Sequence, residues 1–423
     1  MKLFRKFERY ISQNFLTIFF IFIALSIFIY NNSTPLEGAE QDKNSSYVQQ
    51  SASQSNTIEP SGAVQTQQNS DELIGKKISE AFKGRTSTID ASIIERYKKK
   101  ARYPLQAFPL RPSDYRDFQV AVADFLNKRL KQSSDMSTQY TVSQHGKMDL
   151  GSTILELLTF DIQTTGDKVP GAICYPKKRS GSSPAVAVYS GHSRHGLLDL
   201  FTNHNGYQGA LALKLCEEGY VTIAIEKIDS GFMSYAFRAK GKLEEDENRL
   251  GLIAFGGSHS LAIRQLAAAL AAYDHLKSRP LVNASRLATA GTSYGGWTAI
   301  LVSIMRRDVK VVIDYSMKDL FVEPSLGQTI PLTNVRDYST VFSGMWDLGD
   351  RHIFPMAILD RKILYAYGFN DKRNKISAEK FMWPAIRAQL KELGTSNMFK
   401  YLPFPGNDEV NIKASLKFLQ NNL

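Results

Sequence analysis

Cysteine is scarce in this chain of 423 residues, which has only Cys174 and Cys216. Two cysteines exclude a small fold stapled by disulfides, and their spacing is not that of a structural zinc site. The residues around Cys174 are typical of a strand, and those around Cys216 of an amphipathic helix. We therefore expect two buried free thiols, and neither a disulfide, a bound metal nor a cofactor.

The chain also lacks a concentrated basic stripe. Its formal net charge is +11, a value that by itself would suit a protein that binds nucleic acid. The lysines and arginines are spread along the chain, however, and no segment interleaves them with aromatic residues. We therefore expect no nucleic-acid partner. Hydrophobic residues make up 43% of the chain, which suits one large globular domain with extensions, and the oligomeric state is not indicated.

One long uncharged apolar run is present, at residues 11–30. A run of about twenty apolar residues crosses a bilayer, and basic residues in front of it stay on the cytoplasmic side. Residues 1–10 would then be a cytoplasmic tail, and the rest of the chain would lie in the periplasm or outside the cell. A cleaved signal peptide is the alternative, but only residues 37–39 resemble a cleavage site. We expect an uncleaved single-span anchor.

The next two regions differ sharply in composition. Residues 31–70 are rich in Ser, Gln, Asn, Thr and Gly, which cannot bury a core, so they are predicted to be a disordered linker. Residues 71–135 become periodic again. Apolar residues recur at helical spacing on either side of Pro104, Pro109 and Pro112, which indicates a short region of two amphipathic helices.

From about residue 136 to residue 423, strands and helices alternate. Two predicted strands first frame a turn at Gly166, as in a hairpin. The predicted strands are 154–160, 169–175, 185–189, 220–225, 286–290, 309–314, 362–367 and 399–404, with helices at 210–218 and 259–278. This alternation predicts a mostly parallel, twisted sheet with helices on both faces, where ligands bind at the carboxyl ends of the strands.

The sequence Gly-Thr-Ser-Tyr-Gly-Gly at residues 291–296 carries the strongest functional signal. A predicted strand precedes it, and apolar residues recur at helical spacing after it. In a G-x-S-x-G turn between a strand and a helix, the serine adopts a strained backbone conformation that lifts its hydroxyl clear of the sheet. Gly291 and Gly295 would avoid a clash in such a turn, and the helix N-terminus favours developing negative charge. The pattern predicts Ser293 as a nucleophile.

The succession of elements over roughly residues 150–423 resembles the α/β-hydrolase fold, and within it the acetylxylan-esterase and dienelactone-hydrolase-like branch. The phrases that carry this resemblance are residues 169–172, 184–192, 218–224, 290–296, 307–312 and 367–371. The Ser-Tyr-Gly-Gly form of the turn is also similar to that of prolyl-oligopeptidase-type serine peptidases. Those usually carry a β-propeller, and no repeat of blade length occurs in this chain.

The resemblance implies acyl transfer through a covalent intermediate on Ser293. It implies that the backbone amide of Tyr294 is one oxyanion donor and that the second comes from the loop that contains His192. Ser190 stands in that loop where related esterases usually show a histidine. The acid of the triad falls on Asp371, just after a predicted strand end.

The base is missing from the place that the resemblance implies for it. A histidine is expected after the last strand, whereas this chain has Asn407 and Asp408 there and no histidine after His352. A carboxylate with a pKa of about 4 is a poor base for an alcohol, and beside Asp371 it would form a like-charge pair. Loss of the histidine from a triad costs on the order of a millionfold in turnover.

Three explanations stay open for the base. A histidine on another loop would supply it, and the candidates are His192, His195, His259 and His352. Alternatively Asp408 acts as an inefficient base, or the domain has lost hydrolysis. The sequence therefore predicts a membrane-anchored serine esterase or deacetylase acting on small or carbohydrate esters. A catalytically inactive binding protein is the alternative, and a serine peptidase is a third.

Overall fold

The computed structural model describes residues 76–77, 96–97, 99–130, 139–178, 181–202, 205–233, 260–315, 342–370, 382–407 and 409–423. The chain divides into two compact units, Met1–Arg85 and Thr86–Leu423. In the first unit only residues 76–77, which are helical, are described. The predicted anchor at 11–30 and the predicted linker at 31–70 lie outside the described residues, so the fold below is that of the second unit.

The second unit is built from strands and helices in alternation. The strands are β1 (Tyr140–Asp149), β2 (Thr153–Ile162), β3 (Asp167–Pro176), β4 (Ser183–Tyr189), β5 (Val221–Ile225), β6 (Val282–Thr292), β7 (Val311–Tyr315), β8 (Lys362–Gly368) and β9 (Phe399–Phe404). The α-helices are α1 (Pro112–Leu130), α2 (Leu211–Glu217), α3 (Leu261–Lys277), α4 (Tyr294–Met305), α5 (Met345–Leu348), α6 (Ile353–Met356), α7 (Trp383–Leu393) and α8 (Ile412–Asn422). None of the helices in the described segments combines the length and the apolar content that a bilayer span needs.

All nine strands belong to one mixed sheet, in the order β1-β2-β3-β5-β4-β6-β7-β8-β9. In this spatial order, each neighbouring pair from β5 through β4 to β9 is parallel. The other three pairs, which join β1, β2, β3 and β5, are antiparallel. The predicted parallel sheet and hairpin are therefore both present. The edge strand β1 was not predicted because none of its residues is fully buried, so it has no apolar period.

Side chains of the sheet point alternately into two apolar layers. In β4, Ala187 and Tyr189 join one layer, whereas Val186 and Val188 join the other. Residues of α1, α3 and α4 fill the first layer, and residues of α2 and α8 fill the second. Helices thus cover both faces, and the burial of these apolar side chains supplies the main stabilisation of the fold.

Helix α1 belongs to the same core as the sheet. Phe118 and Leu126 on its inner face are 0% exposed. The Tyr115 hydroxyl on the same helix donates a hydrogen bond to the Met356 carbonyl at 2.8 Å. The described part of the predicted helical region therefore packs on the helix layer next to α4.

The expectation of free thiols is wrong, because Cys174 and Cys216 form a disulfide. Cys174 lies on β3 and Cys216 on α2, both are fully buried, and their Cα atoms are 6.0 Å apart. That separation lies within the usual range for a disulfide. The pairing could not be predicted because the two cysteines are 42 residues apart and only the packing of α2 against the sheet brings them together.

We expect the C174A/C216A variant to have a free energy of unfolding lower than the wild type by about 2–4 kcal/mol, because the cross-link restricts the unfolded chain. Urea denaturation with and without reductant measures this difference. Reductant should destabilise the wild type and leave the variant unchanged. Two alkylatable thiols in the denatured, unreduced wild type would contradict the disulfide.

Candidate active site

A sharp turn joins β6 to α4 at the carboxyl end of the parallel strands. Ser293 lies between Thr292, which ends β6, and Tyr294, which begins α4, and it has φ 55° and ψ −122°. A positive φ of this kind costs a residue with a side chain about 1–3 kcal/mol. Ser293 is nevertheless partly exposed, so the turn presents its side chain at the edge of the sheet.

Glycines make this turn possible by their lack of a side chain. A Cβ on Gly291 would meet the backbone of Gly295, and a Cβ on Gly295 would meet the carbonyl of Tyr189, each closer than 3.0 Å. Strand β6 and the end of β4 can therefore approach helix α4 this closely only with hydrogen at both positions. The strand-turn-helix geometry predicted around Ser293 is the geometry that the structure has.

Tyr315 ties the turn to the loop that follows β9. The Ser293 N–H donates to the Tyr315 carbonyl at 2.7 Å. The Tyr315 hydroxyl donates to the Asn411 carbonyl at 2.5 Å and lies 2.7 Å from the Ser415 hydroxyl oxygen. One residue thus holds both the candidate nucleophile and the loop in which Asp408 was predicted as a base.

The loops after β8 and β9 lie side by side at the same edge of the sheet. The Asn370 N–H donates to the Gly406 carbonyl at 2.9 Å. Asp371, the predicted acid, directly follows Asn370, and Asp408, the predicted base, is two residues after Gly406. Both lie outside the described residues. Their described neighbours place the two loops beside each other.

The loop after β4 reaches the turn from the other side. A Cβ on Gly191 would lie 3.0 Å from the Ser293 Cβ, so there is no room for a side chain between the backbone of this loop and the candidate nucleophile. The Gly191 N–H donates to the Gln208 side chain at 2.9 Å. The next carbonyl, that of His192, accepts from the Tyr207 hydroxyl at 2.5 Å. This loop is therefore held in place by two side chains from the segment before α2.

The ring of Tyr294 is held between two loops. The His192 ring packs edge-on against it with centroids 5.3 Å apart, and the Lys227 ammonium lies 4.6 Å from its centroid. Lys227 and Asp229 form an ion pair in which each side chain is 2% exposed. Because Tyr294 directly follows Ser293, these contacts also fix the first amide of α4, where the helix dipole favours negative charge.

A buried ionisable group, the carboxyl group of Glu226, joins the loops after β4 and β5. It accepts the Leu197 N–H at 2.8 Å and the Phe232 N–H at 3.2 Å, and it is 0% exposed. Gly196 and Gly231 have φ of 51° and 48°, and a Cβ on either would collide with this carboxyl group. Burial outweighs the hydrogen bonds and raises the pKa of Glu226 to about 8.

The other histidines proposed as a base are engaged elsewhere or lie outside the described residues. His352 is fully buried, and its Nε2 lies 2.9 Å from the Tyr103 carbonyl. The His195 Nδ1 lies 3.5 Å from the Asp199 carboxylate. His259 lies outside the described residues. Within the described segments, His192 is the imidazole that contacts the turn, and the Ser293 hydroxyl has no hydrogen-bond partner there.

Four residues that shape the site were missed by the sequence reasoning: Tyr207, Glu226, Lys227 and Tyr315. The Glu-Lys pair offered a usable signal, since two ionisable residues directly follow the fully buried strand β5. The two tyrosines offered none, because their roles depend on which loops meet at the edge of the sheet. No cluster of His, Cys, Asp or Glu suited to a metal ion occurs within the described segments.

The fold is shared with known esterases. A candidate acetyl xylan esterase from Bacteroides fragilis superposes with a TM-score of 0.62 at 13% sequence identity, over 77% of this chain and 87% of that one. A methylesterase superposes with a TM-score of 0.52 at 12% identity, over 78% of this chain and 68% of that one. No protein-family model and no curated protein matches the sequence. The resemblance to α/β-hydrolase-fold esterases is thus confirmed at the level of the fold.

The backbone strain at Ser293 can be tested by comparing glycine with alanine at this position. We expect S293G to be more stable than S293A by about 1 kcal/mol, because glycine adopts a positive φ without a steric cost. Lys417, an exposed residue inside α8, is the matched control. There the order should reverse, with K417A more stable than K417G. Equal stability of S293G and S293A in thermal or urea unfolding would contradict a strained turn.

Glu226 should make the stability of the protein depend on pH. Its ordinary pKa of 4.5 applies to the unfolded chain, and the folded value is about 8. As pH rises through this window, the unfolded state ionises before the folded state does, so the wild type loses stability. The E226Q variant has no such proton. Its free energy of unfolding relative to the wild type should therefore rise between about pH 4.5 and 8 and level off above that.

Urea denaturation of the wild type and E226Q across this pH window measures the effect. E392Q, which alters an exposed glutamate on α7, is the control and should differ from the wild type by a constant amount. A stability difference between E226Q and the wild type that does not change with pH would show that Glu226 titrates normally.

Proposed function

We propose that this chain is a serine esterase that uses Ser293 as its nucleophile. The observation that carries the proposal is the positive φ of a partly exposed serine between β6 and α4. Such a conformation is costly, and strain of this kind clusters at functional sites. Here it presents a hydroxyl at the carboxyl ends of parallel strands, where α/β proteins bind their ligands.

The proposed reaction is acyl transfer in two steps. The Ser293 oxygen attacks the ester carbonyl while its proton passes to a base, and the tetrahedral intermediate collapses as the alcohol leaves with that proton. Water then hydrolyses the acyl-enzyme by the reverse sequence. The amide of Tyr294 and the loop of His192 would stabilise the oxyanion. The contacts of the Tyr294 ring with His192 and Lys227 support this assignment, since they fix the turn next to that loop.

We propose Asp371 as the acid and Asp408 as an inefficient base, with His192 as the other candidate base. The hydrogen bond between Asn370 and Gly406 supports a common site for the two carboxylates. The contact of His192 with Tyr294 supports the second candidate. Two neighbouring carboxylates repel each other when ionised, which raises the pKa of one of them and improves it as a base. We expect slow turnover.

The proposed substrate is a small or carbohydrate ester. Two of the proteins with similar folds are described as a candidate acetyl xylan esterase and as a methylesterase, and both names refer to ester substrates. This similarity concerns the fold and leaves the identity of the acyl and alcohol groups to experiment.

A catalytically inactive binding protein is the second candidate function. The observation that favours it is the Ser293 hydroxyl, which has no imidazole partner within the described segments. An esterase without an effective base keeps only a small part of its rate. The same edge of the sheet would then bind an ester or a glycan without cleaving it.

We further propose that the protein is anchored in a membrane by residues 11–30 and that its folded unit lies outside the cytoplasm. The uncharged apolar run and the basic residues before it support the anchor and its orientation. The disulfide between Cys174 and Cys216 supports an oxidising compartment, because disulfides are rare in the cytosol.

Labelling with a fluorophosphonate probe tests the proposed nucleophile. The wild type should be labelled slowly, and S293A should lose the label, because the probe reacts only with an activated serine. S190A is the matched control, since Ser190 is a buried serine of the neighbouring loop that the mechanism does not use. Labelling of S293A at the wild-type rate would exclude Ser293 as the nucleophile.

A second variant separates the two candidate functions. D408H restores a histidine where the resemblance implies one, and we expect it to raise hydrolysis of a p-nitrophenyl acetate substrate by at least about a hundredfold. Measurable Ser293-dependent hydrolysis in the wild type supports the esterase. An inert wild type combined with an active D408H variant supports the inactive binding protein.

A further inference from the structure

A cavity of about 480 Å³ lies at the end of the sheet opposite to Ser293. It opens where the parallel strands begin, between the start of β7, the start of β8 and the last turn of α8. Its lining includes Arg307, Lys310, Arg361 and Lys362. The proposed esterase reaction uses none of these residues, because that reaction takes place at the carboxyl ends of the strands.

The charges of this cavity are unbalanced. Asp360 is the one acidic side chain among its described lining residues. It is shared by two arginines at long range, with Arg307 at 3.7 Å and Arg361 at 3.8 Å. Among the lining side chains, one carboxylate therefore faces four cations. The Leu423 carbonyl oxygen, which also lines the cavity, accepts a hydrogen bond from the Arg286 Nε at 2.5 Å.

Arg361 is a buried cation without a close anionic partner. Its side chain is 7% exposed, and its guanidinium donates to the Ser303 carbonyl and, at 3.4 Å, to the Arg306 carbonyl. Burial lowers the pKa of Arg361, which means that the folded protein disfavours this charge. A buried charge is normally retained with a partner of opposite sign.

Two lysines add to the same charge from adjacent strands. The Lys362 N–H donates to the Lys310 carbonyl at 3.3 Å, which places the two residues side by side at the starts of β8 and β7. The Lys362 ammonium donates to the Asn397 carbonyl at 3.1 Å. Within the described segments, the Lys310 ammonium has neither a hydrogen bond nor an ion pair. Two like charges this close repel each other, and an anion between them would relieve that repulsion.

We propose that this cavity binds a phosphate group through Arg307, Lys310, Arg361 and Lys362. A phosphate carries nearly two negative charges and accepts several charge-assisted hydrogen bonds, which suits a lining of two guanidinium and two ammonium groups. The same chemistry is offered by free inorganic phosphate and by the head group of an anionic lipid. The proposal does not depend on the esterase reaction.

Isothermal titration of the full chain with inorganic phosphate at low ionic strength tests the first source. Sedimentation with phosphatidylcholine vesicles, with and without phosphatidic acid, tests the second, using a chain that begins after residue 30 so that the predicted anchor does not contribute. K310Q/K362Q is the test variant, because it removes two charges and leaves the buried Arg361 in place. K128Q/K391Q is the matched control, since it removes two exposed lysines elsewhere.

We expect K310Q/K362Q to weaken binding of phosphate, or of vesicles with phosphatidic acid, by at least about tenfold, and the control to stay within about twofold of the wild type. Loss of titration by phosphate identifies the free ion as the ligand. Loss of sedimentation alone identifies the lipid. No binding to either by the wild type, or equal loss in the test and control variants, overturns the proposal. Thermal unfolding of both variants without phosphate confirms that each is folded.

Discussion

The positive φ of Ser293 is the constraint on which the candidate site depends. A residue with a side chain resists this conformation by about 1–3 kcal/mol, so the surroundings must hold it there. They do so by close approach and by hydrogen bonds. The backbones of β6, α4 and the end of β4 meet at Gly291 and Gly295, and the Ser293 amide is bonded to the end of β7. Packing and hydrogen bonding by the sheet thus offset the conformational cost of the turn.

Buried ionisable groups form a second level of support beneath this turn. Glu226 joins two loops through their amides, and the Lys227–Asp229 pair lies under the ring of Tyr294. Isolated charges in a protein interior are expensive, and a paired charge stabilises a fold little more than an apolar side chain of similar volume. These groups are therefore better explained by the geometry they impose on the loops than by a contribution to overall stability.

Much of this fold could be predicted from the sequence, and the limits have physical causes. The strand β4 and the helix α4 were predicted because their apolar runs are continuous and buried, whereas β1 is an exposed edge with no apolar period. Ser293 was predicted because its glycines reflect local backbone geometry. The disulfide and the role of Tyr315 were not, because each joins residues far apart in the chain. The identity of the base depends in the same way on how separate loops meet.

Tyr207 couples the positions of two loops at the candidate site. Its hydroxyl holds the His192 carbonyl, while its own carbonyl accepts the Val410 N–H at 3.0 Å. Tyr207 therefore links the segment after β4 to the segment after β9. Neither segment can move outward alone without breaking one of these hydrogen bonds. Room for a bulky ligand would therefore require both segments to move together.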